Sequence, residues 1–295
     1  MLAPFADERA CDVARAGGKG SSLARMVALG LPVPPGFVVL AETLSAALDE
    51  AGVRDDLRAA LADAARAQTI IGALAPPEVG AAYASLGNDE PAVAVRSSAV
   101  AEDSGEASFA GQQETYLHVR GAASVAARVR DCWASFFSER ALFYRAQMGS
   151  LDDLEMAVVV QRMVEPDVAG ILFTADPVQR RRDQMIVEAV FGLGELAVSG
   201  TVTPDNYVLA RDGRLKRSRI VEQRAALVGL PAGGTEERLL SPEQGAAPTL
   251  GEHDLRRLAE LGQLLEGHHG VPQDIEWAIA DGVLYVLQSR PVTTL

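Results

Sequence analysis

Residues 274–290 read DIEWAIADGVLYVLQSR, two apolar runs around Asp281-Gly282, which is a β-hairpin signal. The odd positions are Ile275, Trp277, Ile279, Val283, Tyr285 and Leu287, all suited to a core. The even positions toward the open end are Asp274, Glu276, Gln288 and Arg290. Side chains alternate across a strand, so the two sets take opposite faces. A two-residue turn at Asp281-Gly282 pairs Glu276 with Leu287 and mixes the faces. A three-residue turn over Ala280-Asp281-Gly282 pairs Glu276 with Val286 and Asp274 with Gln288. That register keeps both faces clean and puts Gly282 at the left-handed position, so it is the one expected. Two carboxylates, an amide and a guanidinium then converge. A carboxylate with an amide oxygen is a hard donor set suited to Mg2+, and Arg290 has the fork geometry for a phosphate. Taken alone, the same face is equally compatible with a solvated Asp–Arg ion pair.

Working back from the hairpin, residues 252–268 read as a helix, while the polar stretch 211–250 carries no assignable period. Met156–Val164, Ala169–Thr174 and Met185–Ala189 are apolar strands, the last followed by the glycine-rich loop Phe191–Gly200. Residues 121–148 predict one long helix, with Val125, Val129, Trp133, Phe136 and Phe137 at helical spacing. Strands are expected at Ala92–Val95, ending at Arg96-Ser97-Ser98, and at Glu114–Val119, joined by a small-residue loop from Ala99 to Gly111. Residues 76–91 read as a connector and 43–75 as helical. At the N-terminal end, Gly17-Gly18-Lys19-Gly20 reads as a loop, with Ser21 or Ser22 capping a helix and Phe37–Leu40 a buried strand. Strands mixed with helices and joined by hairpins predict an α+β fold rather than a doubly wound sheet.

The chain has 295 residues, 48% of them hydrophobic, enough for one large domain or two joined lobes. Its net charge of −13 argues against nucleic acid, which demands clustered Lys and Arg, but leaves ATP open, since a few local cations and backbone amides suffice. Cys11 and Cys132 share no metal-type spacing and make no disulfide framework. With no apolar run near the ~20 residues that span a bilayer and no signal core, a cytoplasmic protein is expected.

Two further segments are suited to phosphate. Lys19 stands among glycines beside a helix start, where amides and the helix dipole favour an anion, although the spacing is not that of a Walker loop. Arg96 ends a strand before a loop holding Gly105, Ser108, Ala110 and Gly111, whose small residues let backbone amides approach phosphates. An exposed lysine and an ordinary surface loop are the bland alternatives. Arg180-Arg181-Arg182 reads as a solvated hairpin loop, and His118, His253, His268 and His269 show no metal spacing.

The motifs form an ordered series. Gly17-Gly18-Lys19-Gly20-Ser21-Ser22-Leu23 precedes Gly30-Leu31-Pro32-Val33-Pro34-Pro35-Gly36-Phe37. Val95-Arg96-Ser97-Ser98, Glu102-Asp103 and Ala107-Ser108-Phe109-Ala110-Gly111-Gln112 follow, then Val160-Gln161-Arg162-Met163-Val164 and Gly170-Ile171-Leu172-Phe173-Thr174. Glu188-Ala189, Gly192-Leu193-Gly194-Glu195 and Pro204-Asp205 lead to Pro272-Gln273-Asp274-Ile275-Glu276-Trp277 and Gln288-Ser289-Arg290-Pro291. This series resembles the ATP-binding domain of the phosphoenolpyruvate synthase, pyruvate phosphate dikinase and rifampin phosphotransferase family, from end to end of the chain. The loop departs from the family's usual Leu-Pro at Ser104-Gly105.

The resemblance implies an ATP-grasp-like domain with mixed or antiparallel sheets and ATP between two lobes. The lobes would be residues 1–164, with Lys19, Arg96 and the covering loop 98–113, and residues 165–295, with the hairpin 274–290. By carry-over Lys19 and Arg96 contact the phosphates and Ser108, Ala110, Gly111 and Gln112 close over them. Gln161, Met163 and Val164 line the adenine pocket, and Glu276 and Gln288 hold Mg2+. Asp274 and Arg290 complete the phosphate site, with Glu188 and Glu195 as further polar contacts. The family cleaves ATP to AMP, passing the β-phosphate to a histidine on a swivelling domain and then to a small-molecule acceptor. No segment here resembles the phosphohistidine loop, so a histidine-bearing partner or further domain is implied. The competing readings are a direct small-molecule kinase, an ADP-forming ligase of similar fold and a non-catalytic nucleotide module.

Overall fold

The runs Gly36–Val39 and Ala157–Val160 are buried at every position, so the sheet they form must be covered on both faces. The computed structural model, which describes residues 1–76, 78–87, 89–99, 114–147, 154–198, 200–293 and 295, shows how this is done. The chain divides into unit 1, residues 1–29 and 35–163, and unit 2, residues 30–34 and 164–295.

Unit 1 contains β1 (Leu2–Pro4), α1 (Val13–Ala28), β2 (Gly36–Val39), α2 (Glu42–Ala51), α3 (Arg54–Ala59), α4 (Ala64–Gly72) and α5 (Val79–Ala84). It continues with β3 (Val93–Ser98), β4 (Thr115–Val119), α6 (Ala122–Ser135), α7 (Glu139–Gln147) and β5 (Ala157–Arg162). Its sheet is antiparallel, in the order β1-β2-β5-β3-β4. Phe37, Val39, Val93, Val95, Val158 and Val160 share one face and pack with Leu44, Leu48, Ile71, Val129 and Trp133 of the surrounding helices. The opposite face meets α1, where a Cβ on Gly20 would lie 3.0 Å from Val38.

Unit 2 contains β6 (Val168–Phe173), β7 (Gln184–Phe191), α8 (Glu195–Val198), β8 (Asp205–Ala210), β9 (Leu215–Arg219), β10 (Ala225–Gly229) and β11 (Thr235–Leu239). It ends with α9 (Pro242–Ala246), α10 (Glu252–His269), β12 (Gln273–Ala280) and β13 (Val283–Pro291). Six strands form an antiparallel sheet ordered β13-β12-β6-β7-β8-β9, and β10 and β11 make a separate ribbon. Leu255, Leu258, Leu261 and Leu265 give α10 one buried stripe. Gly262 lets it close on the sheet, since a Cβ there would lie 3.1 Å from Leu172 and 3.2 Å from Thr174. Among the described residues no helix is long and apolar enough to cross a membrane.

The α+β class is as expected, and every ladder between named strands is antiparallel. Several element expectations need correction. Residues 17–20 are not a loop: α1 starts at Val13 under the side chain of Asp12 and runs through the glycines with one break at Gly17, φ 68° and ψ 177°. Ser21 caps nothing, its hydroxyl donating to the Gly18 carbonyl at 3.1 Å. The helix expected over 121–148 is two, interrupted near Phe136, with the Ser138 hydroxyl accepting from the Ala141 amide at 3.4 Å where α7 begins. The connector 76–91 contains α5, and the helical stretch 43–75 is three short helices.

Residues 211–250 hold β9, the β10–β11 ribbon and α9. They are tied to the sheet by buried side chains. Asp205, fully buried, accepts from the backbone amides of Val221 and Thr249, both at 2.9 Å. Gln223 accepts from the Phe191 amide at 3.0 Å, and Leu193 donates to the Leu227 carbonyl at 2.9 Å.

Candidate functional site

The terminal hairpin turns in two residues, not three. Ala280 pairs with Val283, and Asp281 and Gly282 have φ of 49° and 74°, the left-handed pair of a type I′ turn. The register then runs evenly to Trp277 opposite Val286, where a β-bulge absorbs Leu287. Beyond it Glu276 faces Gln288 and Asp274 faces Arg290. A bulge re-aims the side chains that follow it, so the four polar residues still share one face, by a route that strict parity does not anticipate. On the turn side of the bulge Leu284 and Val286 are buried and Val283 is exposed, the reverse of the expected alternation.

On this face Arg290 Nε donates to Asp274 Oδ2 at 2.9 Å. Asp274 Oδ1 is buried and has no hydrogen-bond partner among the described residues. Burial pushes the Asp274 carboxyl above the usual range, Arg290 opposes this, and Glu276 adds a like charge. Gln288 is buried beside Glu276. Glu188 on β7 lies on the same face, in line with Ile171 and Glu276. Burial raises its carboxyl too, countered by a hydrogen bond from Asn206 and reinforced by Asp274. Glu195 is not on the sheet but in the first turn of α8, exposed.

Unit 1 brings together two motifs that are 78 residues apart in the chain. Lys19 Nζ donates to the Ser97 carbonyl at 3.0 Å, next to Arg96. Ser98 Oγ donates to the Ala16 carbonyl at 2.8 Å and accepts from the Gly20 amide at 3.1 Å, bridging the break in α1. A Cβ on Gly17 would fall 2.1 Å from the Ser98 carbonyl oxygen, so only glycine permits this approach. The role of Ser98 went unread in the sequence, where it is merely the end of a strand.

Arg96 faces Val159 and Ala94 faces Gln161, which places Arg96 and Gln161 on one side of the sheet, the side that meets α1. Gln161 is buried, and its Nε2 has no partner among the described residues. A buried amide donor without an acceptor costs about 1–3 kcal/mol, so it suits a ligand acceptor. Met163, which donates to the Ala92 carbonyl at 2.8 Å, and Val164 follow β5 and are half-buried. Ser108, Ala110, Gly111 and Gln112 lie outside the described residues. Arg180, Arg181 and Arg182 are exposed in the loop after β6, Arg181 paired with Asp183 at 2.6 Å.

Each unit therefore carries its own group of cationic and amide side chains on one sheet face, and unit 2 adds carboxylates. No three His, Cys, Asp or Glu side chains among the described residues gather into a metal cage. The donors at Glu276 and Gln288 suit a cation that keeps other ligands, such as water or phosphate oxygens.

Residues 13–295 match the family "Pyruvate phosphate dikinase, AMP/ATP-binding domain". The chain is 39% identical over 306 residues to a probable phosphoenolpyruvate synthase of Methanothermobacter thermautotrophicus, covering 96% of this chain and 45% of that protein. It is 40% identical over 297 residues to the rifampicin phosphotransferase of Bacillus cereus, covering 95% of this chain and 34% of the relative. The chain thus spans less than half the length of these relatives. The solved D-alanyl-alanine synthetase A of Vibrio cholerae aligns over 92% of this chain and 54% of its own, at 11% identity and a TM-score of 0.35, too loose a likeness to argue from. The family match covers the hairpin, the Lys19 helix and the Arg96 strand alike, and on that ground the chain belongs to the pyruvate phosphate dikinase AMP/ATP-binding domain family.

Proposed function

We propose that this chain is the nucleotide-cleaving part of a dikinase-type phosphotransferase. It takes ATP with Mg2+, releases AMP, and passes the β-phosphate to a histidine on a separate domain or partner that serves a small-molecule acceptor. The observation that carries this reading is the hairpin register, which sets Glu276 beside Gln288 and Asp274 beside Arg290 on one face. The unpartnered, buried Oδ1 of Asp274 supports it, because such an atom is costly unless a ligand uses it.

Phosphoryl transfer asks for positioning and charge neutralisation more than for covalent chemistry by the protein. In this reading Lys19, Arg96 and Arg290 neutralise phosphate oxygens, and Asp274 fixes the Arg290 fork. Glu276 and Gln288 hold Mg2+, which when bound supplies further neutralisation of the phosphate charge. The amide of Gln161 with Met163 and Val164 receives the adenine, and Glu188 and Glu195 meet other polar parts of the nucleotide. Ser108, Ala110, Gly111 and Gln112 are assigned further phosphate contacts in the same reading. An ATP-grasp-like arrangement and a cytoplasmic setting belong to the same proposal. The latter fits the two cysteines, which form no disulfide.

Product analysis tests it. The purified chain is incubated with Mg2+ and ATP, alone and with the remainder of a full-length relative supplied as a separate protein. AMP formed together with an acid-labile phosphoprotein is expected. ADP as the product overturns the dikinase reading in favour of a kinase or ligase. Binding of ATP without turnover under either condition leaves a nucleotide-binding module.

A further inference from the structure

The register across unit 2 joins residues that the hairpin alone does not connect. Gln288 faces Glu276, Glu276 faces Ile171, Ile171 faces Glu188, Glu188 faces Asn206, and Asn206 faces Arg219. Direct partners in a sheet share a face, so one row crosses all six strands. Only Ile171 in it is apolar. The adjacent row holds Arg290, Asp274, Phe173, Ile186, Val208 and Arg217. The helix α10 packs on the other face, against Leu172 and Met185. Glu188 is therefore two strands from Glu276, roughly 10 Å at ordinary strand spacing.

We propose that Asn206 is a positioning residue for nucleotide binding on this face, acting through Glu188. The proposal rests on the functional reading above. Glu188 is a half-buried carboxylate on a face that also carries Asp274 and Glu276, so burial and like charge both work against it. The Asn206 amide, directly opposite, hydrogen-bonds that carboxylate. An amide donor orients the carboxylate without neutralising its charge, so the carboxylate keeps its capacity to accept from a ligand hydroxyl or amine. An arginine or lysine at position 206 would form an ion pair and cancel that charge. Asn206 touches no proposed metal donor, since Ile171 and Glu188 separate it from Glu276 in the row. In this proposal its effect on the ligand passes through Glu188, and the double-mutant cycle below separates that from a direct contact by Asn206.

The test is a double-mutant cycle on the full chain, read as the Mg·ATP dissociation constant by displacement of a fluorescent ATP analogue. Asn206→Ala, and Asn206→Val as a strand-compatible second variant, are each expected to weaken binding about five- to tenfold, the loss of one charge-assisted hydrogen bond. Glu188→Ala is expected to weaken it at least as much. Asn206→Ala added to Glu188→Ala should then cost nothing more. A full second loss in the Glu188→Ala background, or no loss from either Asn206 variant while Glu276→Ala still weakens Mg-dependent binding, overturns the role of Asn206 and leaves the functional reading standing. A wild-type chain that does not bind ATP removes both.

Discussion

Glu188 and Asp274 are both held above the ordinary carboxylate range by burial, so each charged carboxylate works against the fold. The sign for Glu188 follows from linkage. Its folded value is raised above the unfolded 4.5, so the folded state binds more protons between the two. Its relative stabilisation is full below 4.5 and is lost as pH rises through the raised folded value. Glu188→Gln, which cannot ionise, should therefore have a higher melting midpoint than wild type at pH 7, with the gap closing toward pH 4. A gap that stays constant over that range would show that ionisation of Glu188 is not what strains the fold. Gly17 makes the complementary case for backbone. Gly17→Ala meets the Ser98 carbonyl and a φ of 68°, and should cost about 2 kcal/mol or more in denaturant unfolding. A loss below about 0.5 kcal/mol would mean that α1 can shift without penalty. Lys19 and Arg96 were legible as phosphate candidates because glycines and a strand end flank them. The Ser98 bridge that joins their motifs was not, because it depends on tertiary approach alone.

The elements show where pattern reading holds and where it stops. The hairpin's polar face was legible from alternation, and Ile275, Trp277 and Ile279 are buried as that alternation requires. The turn length and the Leu287 bulge were not, because a bulge changes parity without a residue type that announces it. The edge strand β9, exposed at all five positions, has no apolar face for a pattern to reveal. The glycine-rich stretch within α1 reads as a loop because local propensity is poor there, and the bonds that bridge its break come from Ser98 of β3. Along β12 the two faces make a sharp experimental contrast. Trp277 is fully buried against its neighbours, so Trp277→Ala should cost about 3–5 kcal/mol in urea unfolding. Glu276→Ala, one residue away on the polar face, should change stability by less than about 1 kcal/mol and abolish most Mg-dependent nucleotide turnover. Equal stability losses at the two positions would contradict the division of faces.

At the scale of the molecule, a net charge of −13 sets a condition on any nucleotide that binds. The protein's long-range field repels an anion, so affinity must come from local groups rather than from steering, and the proposed function assigns those groups as cations, amides and a divalent ion. The same net charge argues against a nucleic-acid partner, as the composition suggests. Charge alone does not place these groups: within unit 1 the Lys19–Ser97 contact sets Lys19 next to Arg96, and within unit 2 the hairpin register sets Arg290 beside Asp274. Binding to the native state alone stabilises it by mass action, by about 2.7 kcal/mol at one hundred times the dissociation constant. For a chain of this size that should raise the melting midpoint by about 5 °C. With chelator in place of Mg2+ most of the rise should vanish, because Glu276 and Gln288 would face phosphate oxygens with no cation between them. Glu276→Ala should reproduce the chelator's effect even with Mg2+ present. If the midpoint rises equally with Mg2+ and with chelator, the hairpin pair holds no metal, and nucleotide binding would have to be explained by Lys19, Arg96 and Arg290 alone.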